Sequence, residues 1–175
     1  GTTDHIQQEL EKMGLEVHRF DGRPGCTAMI YGGKAAPGAK TVALRADIDA
    51  LPVEEKTGLP FTSQNPGVMH ACGHDNHMAM LLGAAKILNE VKDELSGDVR
   101  LVFQPAEETA VGALRMMEEH ALDGVDAIYG VHVWGTYDAP GIAFPAGNLM
   151  ACCHGFTIEV AVSYTHLTLP TNSLV

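Results

Sequence analysis

The stretch from Met69 to Leu88 reads MHACGHDNHMAMLLGAAKIL, and its two halves predict different structures. The first half places a thiol, three imidazoles and a carboxylate within nine residues, whereas the second half is apolar at helical spacing. Cysteine thiolate and neutral imidazole are the side chains that best suit a borderline divalent ion such as zinc. The stretch therefore predicts a loop of candidate metal ligands that leads into a buried helix.

Strands and helices alternate along the rest of the chain. This alternation predicts an α/β fold in which a sheet is covered by helices. The segment 47–74 has no clear period, and a loop of that length in a compact domain is usually functional. Helices are predicted over 4–13, 76–91 and 111–120, and strands over 15–20, 28–31, 41–46, 99–103, 127–134, 141–144 and 156–162.

Two of these helices carry more specific expectations. Asp4 is predicted to cap the first helix, and Gly14 is predicted to end it. The second helix is predicted to bury one apolar stripe, which consists of Met80, Leu81, Ala84, Ile87 and Leu88.

The overall composition is that of an ordinary globular domain. The chain has 175 residues, enough for one core, and a formal net charge of −11. That charge argues against nucleic acid or an anionic membrane as a partner, because both require basic patches. No apolar run reaches the length of a membrane span. The four cysteines (Cys26, Cys72, Cys152 and Cys153) are too sparse for a disulfide scaffold, so we expect a reducing cytoplasm.

Three groups of candidate ligands lie in or after predicted strands and loops. Cys72 and His74 are two residues apart, and in extended backbone this spacing places both side chains on one face. Glu107 and Glu108 follow the strand over 99–103, and adjacent side chains in extended backbone point to opposite sides. One carboxylate could then bind a metal while the other acts as a general base. His132 lies between two valines on a predicted strand.

Each group also has a purely structural explanation. Glu107 and Glu108 could be a solvated acidic pair at a helix start, where the helix dipole favours carboxylates. His132 could be a hydrogen-bonded core histidine. Their shared position at the ends of successive elements favours one common site.

Five further polar residues flank these groups. His70 is predicted to lie in the loop, His77 to open the second helix, and Asp75 to cap it. Asp47 and Asp49 follow the strand over 41–46. One of the two aspartates could hydrogen-bond a ligand imidazole, or both could be ordinary turn residues.

Two other functions compete with a metal-dependent hydrolase. A cysteine hydrolase would use Cys72 as nucleophile, with His74 as the imidazole that activates it. That mechanism would leave Glu107 and Glu108 without a role. A non-catalytic metal-binding protein is the third hypothesis.

Four motifs in this order resemble a known enzyme family. They are LRADIDALPVEEKTG, MHACGHDNHMAMLLGAAKIL, VRLVFQPAEE and GVHVW. Together they resemble the amidohydrolase branch of the di-metal aminoacylase and carboxypeptidase metallopeptidases. This branch includes hippurate hydrolases, N-acyl-amino-acid deacylases and indole-acetyl-amino-acid hydrolases. The resemblance extends over about residues 4–160.

The resemblance implies a role for each candidate residue. It implies two divalent ions, manganese or zinc, with cobalt or nickel in some members. Glu107 is implied as the general base and Asp49 as a carboxylate that supports the ligands. The metal ligands it implies are Cys72, His74, Glu108 and His132, with Cys72 bridging the two ions.

The resemblance also implies the architecture and the reaction. The family fold is an α/β catalytic domain, a mixed sheet flanked by helices, interrupted by a smaller lid domain that mediates dimerisation. The reaction is hydrolysis of the amide bond of N-acyl amino acids, hippurate-like compounds among them, to a carboxylic acid and an amino acid. The expected partner is this small-molecule substrate, with a homodimer in the intact protein.

The chain departs from the family pattern in several places. The family's opening helix, its lid domain with a substrate-binding histidine, and its last histidine ligand have no counterpart here, and His154 replaces a more usual acidic residue. We therefore expect a partial catalytic domain over 1–161 that is weakly active or inactive and is not a dimer by itself.

The tail over 162–175 does not read like the chain before it. Its back-translation resembles the end of a transposon-based sequencing adaptor, so we expect this segment to be non-native read-through. The alternative is an ordinary loop and strand rich in threonine and leucine.

Overall fold

The structure is a computed structural model that describes residues 1–137, 141–144, 146–148 and 157. Residues 1–136 form one compact unit. Its helices are α1 (Thr2–Lys12), α2 (His74–Glu90) and α3 (Gly112–Glu118), and its strands are β1 (Val17–Arg19), β2 (Cys26–Ile30), β3 (Thr41–Asp47), β4 (Asp98–Gln104) and β5 (Ala127–Gly130). A single 3₁₀ turn, Lys92–Glu94, follows α2.

The strands form one mixed sheet in the order β1-β2-β4-β3-β5. β1 pairs with β2, and β2 with β4, in antiparallel orientation, whereas β3 is parallel to both β4 and β5. The predicted mixed α/β sheet is therefore confirmed. The carboxyl ends of the three parallel strands lie at the same edge, which is where sheets of this kind present ligand sites.

Helices cover both faces of the sheet, and β4 is buried between them. Leu101 and Phe103 belong to a core cluster with Ile6 and Leu10 of α1 and Leu81 of α2. Val102 points to the opposite face. There it belongs to a second cluster, which also contains Phe20, Ala43, Met116 and Ala121.

The helix predictions are partly right. Gly14 has a φ of +77° just after α1, as expected of a residue that ends a helix. The prediction that Asp4 caps α1 is right only in part. The N-cap residue is Gly1, and Asp4 lies in the first turn, where its carboxylate accepts a hydrogen bond from the amino group of Gly1. In α2, Met80 and Ile87 are 44% and 64% exposed, so the predicted stripe is also wrong in part. The buried face of α2 consists of His74, His77, Leu81 and Ala85.

The stripe is shifted because a pattern of apolar residues leaves histidine out, whereas His74 and His77 are buried in α2. Buried imidazoles become acceptable once their nitrogens are paired. His77 is paired in this structure, and His74 is paired through one of its two nitrogens. The two histidines therefore rotate the buried face of α2 away from the one expected.

The strand predictions fail mainly at the carboxyl-terminal end of the described region. β5 ends at Gly130, so the segment 131–134 lies beyond the strand, and residues 141–144 form no strand. The predicted strand over 156–162 (apart from Thr157), Cys152, Cys153, His154, the boundary after 161 and the tail over 162–175 lie outside the described residues.

The long loop expected between β3 and α2 is present. Residues 48–73 contain no helix or strand, only an isolated bridge between Leu51 and Met69. None of the described helices combines the length and the apolar character that crossing a membrane requires.

Candidate metal centre

His74 lies at the centre of the site. It is the first residue of α2 and is completely buried. Its Nδ1 lies 2.9 Å from the backbone carbonyl oxygen of Asp49, and since a carbonyl can only accept, Nδ1 carries the proton. The other nitrogen, Nε2, then presents a lone pair, and no described residue hydrogen-bonds to it.

Four more side chains of types that bind metals lie near the imidazole of His74. Ligand atoms of Cys72, His74 and His132 lie within 4.8 Å of one another. His74 forms a second, equally compact group with Glu107 and Glu108. Nε2 of His74 is 3.8 Å from Oε1 of Glu108. The structure thus brings together all three groups of candidate ligands, which follow the carboxyl ends of β4 and β5 and precede or begin α2.

Cys72 and His74 reach this site through a turn and not through extended backbone. Cys72 is in a turn, Gly73 has a φ of +82°, and the helix starts at His74. The two-residue spacing therefore gives the expected proximity for a different reason. The left-handed conformation of Gly73 reverses the chain direction between the two side chains.

The expected divergence of Glu107 and Glu108 is wrong. Both residues lie in a turn that follows Ala106, whose φ is +51°. Because the backbone is curled there, a carboxylate oxygen of each residue reaches the neighbourhood of His74. Both carboxylates are therefore available at the same point.

His132 is also placed differently from the prediction. It lies two residues after β5 and is exposed, so it is not a core histidine of a strand. Its Nδ1 lies 2.5 Å from the carbonyl oxygen of Val133, which fixes the proton on Nδ1. Its Nε2 then accepts a hydrogen bond from the Cys72 thiol, with 3.5 Å between sulfur and nitrogen.

Asp49 contacts both His74 and the turn that carries Glu108. Its Oδ2 accepts a hydrogen bond from the backbone N–H of Glu108 at 3.1 Å. Its Oδ1 is 3.3 Å from Nδ1 of His74. Asp49 therefore contacts one candidate ligand through its side chain and fixes the loop of another, which is the geometry of a supporting residue.

A second aspartate was not distinguished from Asp49 by the sequence. Asp47 is completely buried at the end of β3, 2.8 Å from Arg45 and 2.5 Å from Nδ1 of His77. Burial alone would raise the pKa of Asp47. The hydrogen bond from His77 and the charge of Arg45 outweigh burial and hold that pKa below its usual value. The alternating spacing of Arg45 and Asp47, which puts both on one face of the strand, is the signal that could have identified this pair.

Asp47→Ala is expected to lower the free energy of unfolding by about 3–5 kcal/mol, because it leaves Arg45 and His77 without their partner. Since the pKa of Asp47 is lowered in the folded state, its contribution is present above the pKa of an unfolded aspartate. That contribution is lost as the pH falls through the folded pKa. Urea denaturation at pH 7 and under acid conditions measures the effect, which should shrink in acid.

Asp4→Ala is the matched control for this prediction. Asp4 also pairs with an arginine, Arg19, but the pair is exposed. Surface pairs contribute little because water screens them. Equal losses of stability in the two variants would contradict the role of Asp47.

Gly73→Ala is expected to destabilise the fold and disturb the site. A Cβ at this position would lie 2.5 Å from Cγ2 of Val133, and φ is in the left-handed region. The conformational term alone costs about 1–2 kcal/mol. Gly83→Ala, on the open surface of α2, should instead stabilise the helix by roughly 0.5–1 kcal/mol. Thermal unfolding of both variants checks the opposite signs, and a neutral Gly73→Ala would contradict the packing.

The ionisation of Cys72 argues against its use as a nucleophile. Burial and the neighbouring carboxylates, chiefly Glu108, raise the pKa of the Cys72 thiol to about 11. A catalytic cysteine requires the opposite, a thiolate stabilised by a cationic neighbour. The imidazole that contacts the sulfur is that of His132, at 3.5 Å. The expectation that His74 would activate Cys72 finds no support, because the carboxylates of Asp47 and Glu108 lie 3.6 and 3.8 Å from Nε2 of His74.

The residues present fit a divalent metal centre. A buried imidazole nitrogen without a hydrogen-bond partner, a thiol that contacts a second imidazole and two carboxylates converge on one region. Thiolate and imidazole suit zinc and its neighbours, and carboxylates add affinity for manganese. A bound cation would also relieve the cost of the unpaired nitrogen and favour the thiolate.

Comparison with known proteins agrees with this chemistry. The chain is 44% identical over 171 residues to N-acetyl-L-cysteine deacetylase of Bacillus subtilis, covering 98% of this chain and 40% of that protein. It is 38% identical over 170 residues to an N-acyl-L-amino acid amidohydrolase of Geobacillus stearothermophilus, covering 97% of this chain and 45% of that protein. The chain thus spans less than half the length of these relatives.

A solved structure and a family profile point the same way. The YXEP protein of Bacillus subtilis, described as a dinuclear metal binding peptidase, matches with a TM-score of 0.73 and 45% identity over 77% of this chain and 37% of that one. Residues 43–173 match the profile of Peptidase family M20/M25/M40. With three quarters of its length inside that profile, the chain is a member of peptidase family M20/M25/M40.

Proposed function

We propose that this chain is the metal-binding part of an amidohydrolase that cleaves the amide bond of N-acyl amino acids. The observation that carries the proposal is the buried, unpaired Nε2 of His74 at the meeting point of Cys72, His132 and the two glutamates. Two relatives, an N-acetyl-L-cysteine deacetylase and an N-acyl-L-amino acid amidohydrolase, support the substrate class.

The proposed ligands are Cys72, His74, Glu108 and His132. Two ions per site, manganese or zinc, or else cobalt or nickel, are proposed from the donor set and from the likeness to a dinuclear peptidase. Bound there, such ions would polarise the substrate carbonyl and make water acidic enough to ionise near neutral pH. Asp49 is proposed to hold His74 in the tautomer that leaves Nε2 free.

Glu107 is proposed as the general base. Its carboxylate lies within the same compact group as His74 and Glu108, and it is partly shielded from solvent. Glu107 would take a proton from the attacking water and return it to the nitrogen of the leaving amino acid. A carboxylate can perform both steps because it holds the proton only from the attack of water until the amide bond breaks. The products are a carboxylic acid and a free amino acid.

A direct assay tests the proposal. A form of the protein extended to the length of its relatives should release free amino acid from N-acetyl and N-benzoyl amino acids in the presence of manganese or zinc, and chelator should abolish the release. Absence of turnover over a panel of acyl groups would reject the activity. The preference for hippurate-like substrates stays a prediction, which the panel of acyl groups tests. Low turnover by the 175 residues alone also stays a prediction, and the same assay on that shorter chain tests it.

The compartment and the assembly are proposed on separate grounds. A free thiol at Cys72 that must bind metal requires a reducing environment, which supports a cytoplasmic location. The acidic chain, with its charge of −11, supports a small-molecule partner and not nucleic acid or a membrane. A homodimer is proposed for the full-length protein only. Equilibrium sedimentation of both lengths tests that difference.

A further inference from the structure

We propose that His77 is a positioning residue that holds the segment carrying His132 against the buried end of the sheet. His77 is one turn along α2 from His74 and is 98% buried. The backbone N–H of Val133 donates a hydrogen bond to Nε2 of His77 at 2.9 Å. The ring of His132 lies edge-on to that of His77, with centroids 4.6 Å apart. The inference rests on the proposed metal centre, because His132 is one of its proposed ligands.

The hydrogen bonds determine which tautomer His77 adopts. A backbone N–H can only donate, so Nε2 of His77 must be the acceptor and carry no proton. The proton therefore resides on Nδ1, from which it is donated to Oδ1 of Asp47 at 2.5 Å. Both nitrogens are committed to protein partners. His77 is thus not free to bind an ion, although it lies within 4.8 Å of ligand-type atoms of Asp47 and His74.

The two histidines of α2 consequently divide two tasks. His74 uses one nitrogen to orient itself on Asp49 and leaves the other free. His77 uses both nitrogens and so forms a strut, that is, a hydrogen-bonded link between Asp47 and Val133. The difference follows from the distances around each ring. Nδ1 of His74 hydrogen-bonds a carbonyl, but the carboxylates of Asp47 and Glu108 lie 3.6 and 3.8 Å from its Nε2, beyond hydrogen-bond distance. His77 has a hydrogen-bonded carboxylate at Nδ1 and a hydrogen-bonded N–H at Nε2.

The strut is anchored in the sheet itself. Arg45 donates to Asp47 at 2.8 Å and, through Nε, to Oε1 of Gln104 at 2.9 Å. The chain of contacts therefore passes from the end of β4, through β3 and α2, to the segment after β5, where no regular secondary structure fixes the backbone. The bond to Val133 places the neighbouring His132 within 3.5 Å of Cys72.

The test begins with the unsubstituted, metal-free protein. A long-range ¹H–¹⁵N correlation spectrum should show His77 with a proton on Nδ1 and none on Nε2, and the Val133 amide should be protected from exchange. A proton on Nε2, or an unprotected Val133 amide, would overturn the proposal. This measurement needs no substitution, so it stands even where a variant fails to fold.

The second arm measures zinc binding by titration calorimetry. His77→Phe should weaken zinc binding by about 10–100-fold, the usual effect of losing a residue that orients a ligand, and should expose the Val133 amide to exchange. His5→Phe, at an exposed position of α1, should change neither quantity. Unchanged zinc affinity in a folded His77→Phe protein would overturn the proposal. If the unsubstituted protein binds no zinc at all, the metal centre fails, and the His77 tautomer then shows separately whether the strut exists.

Discussion

Glu107→Gln is expected to lower kcat for an N-acyl amino acid by about 10²–10⁴-fold, the usual contribution of a general base. Glutamine has the size of glutamate but cannot accept a proton from water. Because Glu108 and the other proposed ligands are untouched, zinc or manganese binding should be nearly unchanged. The two readouts are steady-state kinetics on the extended protein and metal content of the same sample.

Glu108→Gln serves as the matched control for this prediction. The two glutamates are adjacent in one turn and both reach His74, so the two variants make the same chemical change at neighbouring positions. Loss of the general base should lower turnover only, whereas loss of a metal ligand should also lower metal content. Glu108→Gln should therefore reduce both metal content and turnover. If Glu107→Gln lowered metal content and left kcat per bound metal unchanged, the roles of the two residues would have to be exchanged. If it changed neither quantity, a cysteine mechanism would gain support.

Cys72→Ser is expected to weaken metal binding by more than about 100-fold. Loss of a residue that only orients a ligand already costs about 10–100-fold, and this substitution removes a donor atom. A hydroxyl does not replace a thiolate for zinc, because it does not ionise near neutral pH. Elemental analysis after dialysis against excess zinc or manganese measures the loss.

Cys26→Ala is the control for the loss of a thiol as such. Cys26 lies in the core on β2, and burial raises the pKa of its thiol to about 12. It should therefore bind no metal, and the variant should retain full metal content while losing some stability. Equal metal content in the Cys72→Ser and unsubstituted proteins would remove Cys72 from the centre.

Much of the fold was predictable because its elements are periodic. The apolar pattern placed α1, α2 and the first four strands to within two or three residues, since burial of a strand or a helix face leaves a direct trace in the sequence. β5 was overextended because residues 131–134 continue the apolar pattern after the pairing with β3 has ended. Apolar character alone cannot distinguish a paired strand from an exposed segment.

The proximity of the candidate residues was predictable, but their detailed geometry was not. Residue type and position after strands indicated Cys72, His74, the glutamate pair and His132. The left-handed residues Gly73 and Ala106, which direct these side chains, have no periodic signature. The difference between His74 and His77 also depends on partners far away in sequence, a carbonyl at 49 and an N–H at 133.

The central position of β4 has a consequence for how the protein is made. β2 and β3 are not paired with each other. β4, which comes far later in the chain, joins them, and the other neighbour of β3, β5, comes later still. During synthesis the ribosome therefore releases β1 to β3 and the whole of α2 before the sheet can close. Such distant pairing slows folding and leaves strand edges open to other chains in the meantime. We expect the nascent chain to depend on chaperones until residue 104 has emerged.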